Sequence, residues 1–152
     1  MRWQLKGAVQ KVLGAIPFGD ELHYQMQRRA GGLRNPTREI GVKIDDALLL
    51  IKDVRSVGMP IEGTRFLEIG TGWYPTFPLC LYVGGAREVR TLDLNRYMRL
   101  DLTARCMAQL TERTNELAAA TGYELAAASA RIRGMEEEIG APRAVLDRWR
   151  SF

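Results

Sequence analysis

Histidine occurs once in this chain of 152 residues, at His23, and cysteine twice, at Cys80 and Cys106. A metal centre or a catalytic triad built on imidazole therefore has little to build with. The two cysteines lack metal-ligand spacing and lie in apolar, helical-looking stretches, so the expectation is a pair of buried, reduced thiols. No apolar run approaches the roughly 20 residues of a membrane span. Leu48-Leu49-Leu50-Ile51 is short and is followed by Lys52. The opening Met1-Arg2-Trp3-Gln4-Leu5-Lys6 lacks the apolar core of a signal peptide. Together these absences set the expectation of a cytoplasmic protein with no membrane partner. Charge of one sign is scarce too. Lys and Arg number 22 against 18 Asp and Glu, and no run of like charge exceeds Glu136-Glu137-Glu138. There is no Lys/Arg stripe with interleaved aromatics, so nucleic acid is not an expected partner. Arg28-Arg29 with Arg34 and Arg38 is the one basic cluster and reads as a solvated face, with docking of an acidic substrate or phosphate as the alternative.

What the chain does have is helical periodicity around a short βαβ pattern, with 46% hydrophobic residues to fill a core. The first 62 residues read as a helical cap. Trp3, Val9, Val12, Leu13 and Ile16 share one face. Asp20 can cap a short helix carrying Leu22 and Met26, which Gly31-Gly32 breaks. Asn35-Pro36-Thr37 starts a third helix, on which Ile40, Ile44, Ala47, Leu48, Ile51 and Val54 step at three and four, with Gly58 and Pro60 as its stop. His23 and Tyr24 are the cap residues that could face a pocket, though a packed core role is favoured for each. After residue 95 the chain is helical again. Leu100, Ala104, Met107 and Leu110 form one stripe, extended by Leu117. Thr121-Gly122 is a turn. Leu125, Ala128, Ile132, Met135 and Ile139 form a second stripe that Gly140 stops, and Pro142 opens a last helix with Val145, Leu146 and Trp149.

The informative segment lies between these blocks. Phe66-Leu67-Glu68-Ile69 is an apolar run that reads as a buried strand, Thr64–Ile69 in full. Gly70-Thr71-Gly72 follows at once, and Pro75 and Pro78 introduce a helix. A second strand, Arg87–Asp93, ends on an acid. Strand, glycine turn, helix, strand, acid is the layout of a mononucleotide-binding unit. The glycines allow a ligand close to the backbone where a Cβ would clash. An acid at the tip of the second strand can accept hydrogen bonds from both hydroxyls of a ribose. A dinucleotide fingerprint wants a third glycine where this frame has Pro75, and no lysine follows the turn as a triphosphate loop requires.

Glu68-Ile69-Gly70-Thr71-Gly72 resembles the first motif of class I S-adenosylmethionine-dependent methyltransferases, acid-x-Gly-x-Gly-x-Gly. Thr91-Leu92-Asp93-Leu94-Asn95 resembles their second motif. The resemblance runs from about Arg65 to Met98 and departs at Tyr74, where the family often has its third glycine. It implies that Gly70, Thr71 and Gly72 line the cofactor and that Glu68 orients its amino group. It further implies that Asp93 takes the ribose hydroxyls, with Leu94 beside the adenine. S-adenosylmethionine carries no phosphate, which suits a turn without a lysine. Its ribose and ammonium suit carboxylates, and its adenine suits apolar walls.

The fold expected is α/β: a cap over residues 1–62, then a partial Rossmann-like, methyltransferase-like βαβ unit over 63–152, helix-rich from residue 96, with its sheet incomplete. A full class I methyltransferase resembles a seven-stranded sheet, whereas only two strands are legible here. Three accounts follow: an N-terminal part of a longer methyltransferase, a chain that completes its sheet by pairing with another copy through open edges, or a reduced, non-catalytic relative. The first is favoured. The expected activity of the parent is methyl transfer to a small-molecule acceptor, with the isolated chain inactive. The rivals are a non-enzymatic helical interaction module and a nicotinamide-binding oxidoreductase fragment, the latter disfavoured by Pro75.

Overall fold

A computed structural model describes residues 19–140. The expected helical faces before residue 19 and after residue 140 lie outside the described residues. The chain divides into two compact units, with the boundary between Glu39 and Ile40. The first holds α1 (Gly19–Ala30) and the start of α2 (Pro36–Ser56). The second continues with the rest of α2, β1 (Arg65–Ile69), α3 (Thr76–Val83), β2 (Glu88–Leu92), α4 (Leu100–Glu112), α5 (Thr114–Thr121) and α6 (Leu125–Gly140). The described residues thus form a helix-rich α/β protein with six helices and one two-stranded parallel sheet. Among the described residues no helix is long and apolar enough to cross a membrane.

In the first unit, α1 buries His23 and Tyr24 while Leu22 and Met26 stay about half exposed. His23 lies 3.1 Å from Gln27 Nε2, one helical turn on. Asn35 Oδ1 accepts the Arg38 N–H at 3.2 Å, which satisfies one free donor at the start of α2.

The second unit is built around α3, which packs on β2, α4 and α6. Its eight residues are apolar nearly all round, as a helix enclosed on several sides requires. The α2 stripe behaves as its spacing predicts, burying Ile40, Ile44, Ala47, Leu48 and Ile51. Arg55 fixes this helix to α5 by donating to the Ala120 carbonyl at 2.6 Å, and Arg113 pairs with Asp45 at 2.7 Å.

The α4 face differs from the expected one. Leu102, Cys106, Met107 and Leu110 point inward, whereas Leu100 is 41% exposed and Ala104 is exposed. Leu100 opens the first turn of α4, ahead of the point where the helix meets its neighbours. The Leu117 stripe belongs to a separate helix, because the chain turns at Arg113. Thr111 and Thr114 bond the carbonyls of Met107 and Leu110 four residues back, a pattern that bends helices.

β1 and β2 pair in register from Arg65 opposite Glu88 to Ile69 opposite Leu92. Side chains alternate between faces, so Phe66, Glu68, Val89 and Thr91 share the half-buried face. The opposite face carries Leu67 at 61% exposure, Ile69 at 79% and Leu92 at 57%. Among the described residues, nothing covers that face and neither strand has a second neighbour.

At the end of α3, Arg131 of α6 donates to the carbonyls of Tyr82 and Ala86, at 2.5 and 2.6 Å. Its guanidinium also lies over the rings of Tyr82 and Tyr123. One side chain therefore holds the turn that launches β2, and through β2 the position of Asp93.

Candidate functional site

β1 ends at Ile69, and Gly70 extends the ladder by one bond, donating to the Leu92 carbonyl at 2.7 Å. The chain then reverses into α3 through Gly70 at φ 86° and Gly72 at φ 69°. Both values lie in the left-handed region that an L side chain resists. Among the described residues, chain neighbours aside, no atom lies within 4 Å of where a Cβ would stand on either glycine. These glycines are therefore not needed to avoid crowding inside the protein. They serve the backbone conformation and leave open space above it.

Asp93 stands just past the end of β2 and is exposed. Its Oδ2 accepts the Gly72 N–H at 2.7 Å, and its Oδ1 accepts the Asn95 N–H at 3.0 Å. The strand-tip acid and the glycine turn are thus bonded to each other, 21 residues apart in sequence. A carboxylate offers about four lone-pair directions, so two acceptor sites remain for a diol. The bracing of the turn by Asp93 was not legible in the sequence, because nothing local marks it.

Glu68 lies on the half-buried face of the sheet. Burial raises its pKa above the ordinary carboxylate value, and the Asp93 charge adds to that. The nearby Thr71 hydroxyl and the Lys43 charge work against it. Thr71 is close enough to influence Glu68, yet no hydrogen bond of good geometry closes between them. Glu68 Oε2 and Thr71 Oγ1 are both buried and without a hydrogen-bond partner among the described residues. Buried polar atoms are normally satisfied, and an unsatisfied one costs about 1–3 kcal/mol. The two atoms face each other's neighbourhood, and water or a ligand is a group that could satisfy them.

The raised pKa has a consequence for stability. The folded state keeps the Glu68 proton at a pH where the unfolded chain has released it. Stability attributable to this group is lost as pH rises from the ordinary Glu value through the raised one. Glu68→Gln is expected to remove that slope, so that denaturant unfolding at a series of pH values shows the variant gaining on the parent toward neutral pH. Parallel curves would mean that the carboxylate bears no burial penalty.

Of the residues expected at the site, Glu68, Thr71, Gly72 and Asp93 are brought together. Gly70 shapes the turn. Leu94 is wholly exposed and stands against nothing. Three residues without a role in the motif join them. Lys43 of α2 places a positive charge within reach of Glu68. Trp73 and Tyr97 stack with ring centroids 4.6 Å apart. Lys43 interrupts a stripe of buried aliphatics, and that interruption is the one sequence signal that could have flagged it.

Cys80 and Cys106 are free and buried as expected. Burial pushes their thiols up to about 12 and about 11, so neither is a nucleophile near neutrality. No cluster of metal-ligating side chains occurs among the described residues. A groove of about 320 Å³ along α4, α5 and α6, lined by Thr111, Asn115, Ser129, Ile132, Arg133 and Glu136 among others, shares no residue with the glycine turn.

The donor set fits a nucleoside cofactor bearing a cationic group. Open space stands above the glycines, acceptor capacity remains on Asp93, and Glu68 is a half-buried carboxylate with one buried oxygen that has no partner among the described residues. No protein-family model, curated protein or solved structure matches this chain.

Proposed function

We propose that the turn from Glu68 to Gly72, together with Asp93, binds S-adenosylmethionine, and that the second unit is a partial Rossmann-like unit of the class I methyltransferase kind. The observation that carries this reading is the Gly72–Asp93 hydrogen bond, which unites the two resembling motifs at one place. The unsatisfied oxygens of Glu68 and Thr71 beside it support the same reading. Asp93 has acceptor capacity for the ribose hydroxyls, Glu68 can receive an ammonium, and Gly70 and Gly72 admit the ligand to the backbone. The cofactor, when bound, supplies an electrophilic methyl group. This chain's own residues position it, and positioning is most of what such a transfer needs. No side chain here is assigned as a base for the acceptor. The uncovered sheet face argues that the described residues form the cofactor half of a larger site, with the acceptor, a small molecule, held elsewhere.

A second reading has an observation of its own. Both Asp93 oxygens are engaged by main-chain N–H groups, so the acid has a structural use without any ligand. That favours a non-enzymatic helical module in which the turn only packs. Asp93→Asn separates the two. Calorimetry with S-adenosylhomocysteine is expected to show affinity lowered about ten- to a hundredfold, the loss of a charge-assisted pair. Reduced stability with no ligand bound by either protein would favour the packing module.

A further inference from the structure

The uncovered face of the sheet is polarised along its length. Arg65, Leu67 and Ile69 of β1 lie level with Glu88, Arg90 and Leu92 of β2, and alternation puts all six on that face. Where the strands begin, Glu88 Oε2 lies 3.5 Å from Arg65 Nε and Glu88 Oε1 lies 2.8 Å from Arg90 Nε, with both arginines mostly in solvent. Where they end, Ile69 and Leu92 stand side by side, each more than half exposed. Parallel sheets normally have both faces covered, and apolar residues exposed together mark a contact surface.

Joining two copies through the open sheet edges leaves this face bare. Two β1 strands paired antiparallel keep Leu67 and Ile69 of both copies on one side and double what is exposed. Two β2 strands paired about their middle set Arg90 against the second copy's Arg90, like charge on like. Stacking face on face is different. A twofold axis across the strands would lay the Arg65–Glu88 end on the second copy's Ile69–Leu92 end, charge on hydrocarbon. A twofold axis along the strands keeps every residue at its own height, so symmetry alone fixes the register. With that axis midway between the strands, β1 of one copy lies over β2 of the other. Arg65 then meets the second copy's Glu88, Ile69 meets its Leu92, and Leu67 meets the aliphatic stem of its Arg90, whose charged head stays in water. Each contact occurs twice, and the two Arg65–Glu88 pairs close into a ring of alternating sign.

We propose that this face is the contact surface for a second copy of the chain, stacked in that register. The patch is small beside the roughly 800 Å² that each partner buries in a standard interface, so the dimer is a weak, concentration-dependent one.

Sedimentation velocity on the full chain over a wide concentration range is expected to show reversible dimers. Arg65→Glu and Glu88→Arg each set like charges across the interface and are expected to raise the dissociation constant about tenfold or more. An equimolar mixture of these two variants places opposite charges across both pairs again, so dimers are expected to return on mixing. Circular dichroism checks the fold of each. Should either unfold, Leu67→Lys sets a cation against the second copy's Arg90 at an exposed position and is expected to weaken the dimer alike. A wild-type chain that stays monomeric throughout, its face bare or covered by the chain's own remaining residues, would overturn the proposal. So would a dimer that none of these substitutions weakens, or a mixture of two folded variants that regains nothing. None of these outcomes depends on whether Asp93 binds a nucleoside.

Discussion

Gly72→Val is expected to abolish S-adenosylhomocysteine binding while leaving the chain folded. At φ 69° an L residue costs about 1–2 kcal/mol, and a β-branched one sits at the upper end. Among the described residues, chain neighbours aside, no atom lies within 4 Å of the new Cβ, so no steric collapse from them is added to that strain. The same branched side chain would stand where the proposed ligand meets the backbone. It also burdens the N–H that Asp93 holds. Gly58→Val is the matched control. Gly58 has φ 82°, equally open surroundings and a place outside the turn, at the end of α2. It should show a similar loss of stability with binding unchanged. Thermal unfolding and calorimetry on the three proteins give both readings. Equal binding by Gly72→Val and the parent would make the turn a packing device.

Gly85→Ala is expected to produce the larger loss of stability, about 3 kcal/mol, from strain at φ 105° and overpacking together. The added Cβ would stand 2.7 Å from Tyr123 Cδ2 and 2.9 Å from Cγ. The ring cannot simply withdraw, because the Arg131 guanidinium lies over it. Gly85 also accepts the Gly63 N–H at 3.0 Å, so its backbone joins the approach to β1 with the approach to β2. Displacing it should move Asp93 relative to the glycine turn, and ligand affinity should fall with stability. A midpoint shift of roughly 10 °C is the expected size by thermal unfolding. A cost under about 1 kcal/mol would show that Tyr123 can rearrange freely.

Particular residues show why part of the site was legible in the sequence. The strand at Phe66–Ile69, the glycine turn and the acid after Leu92 are local signals of periodicity and turn chemistry, and β1, β2 and the turn stand within a residue of the expected places. The α2 stripe was legible because five large or small aliphatics repeat on one helical face. The α4 face was not, because Ala104 and Leu100 match the period as well as Leu102 and Cys106 do. Only the packing of α4 against α3, where Thr76 lies 3.6 Å from Cys106 Sγ, decides between them. The Arg131 bridge, the Asp93–Gly72 bond and the Trp73–Tyr97 stack join residues 21 to 49 positions apart. Contacts of that separation leave no periodic trace.

The central claim is that Gly70–Gly72 and Asp93 form a nucleoside-cofactor site. Nitrogen–proton correlation spectra of the full chain, titrated with S-adenosylhomocysteine, test it residue by residue. The account predicts saturable shifts of the Gly70, Gly72, Asp93 and Asn95 amides, with the amides lining the groove along α4, α5 and α6 unmoved. Spectra unchanged at saturating ligand, or shifts confined to that groove, would contradict it.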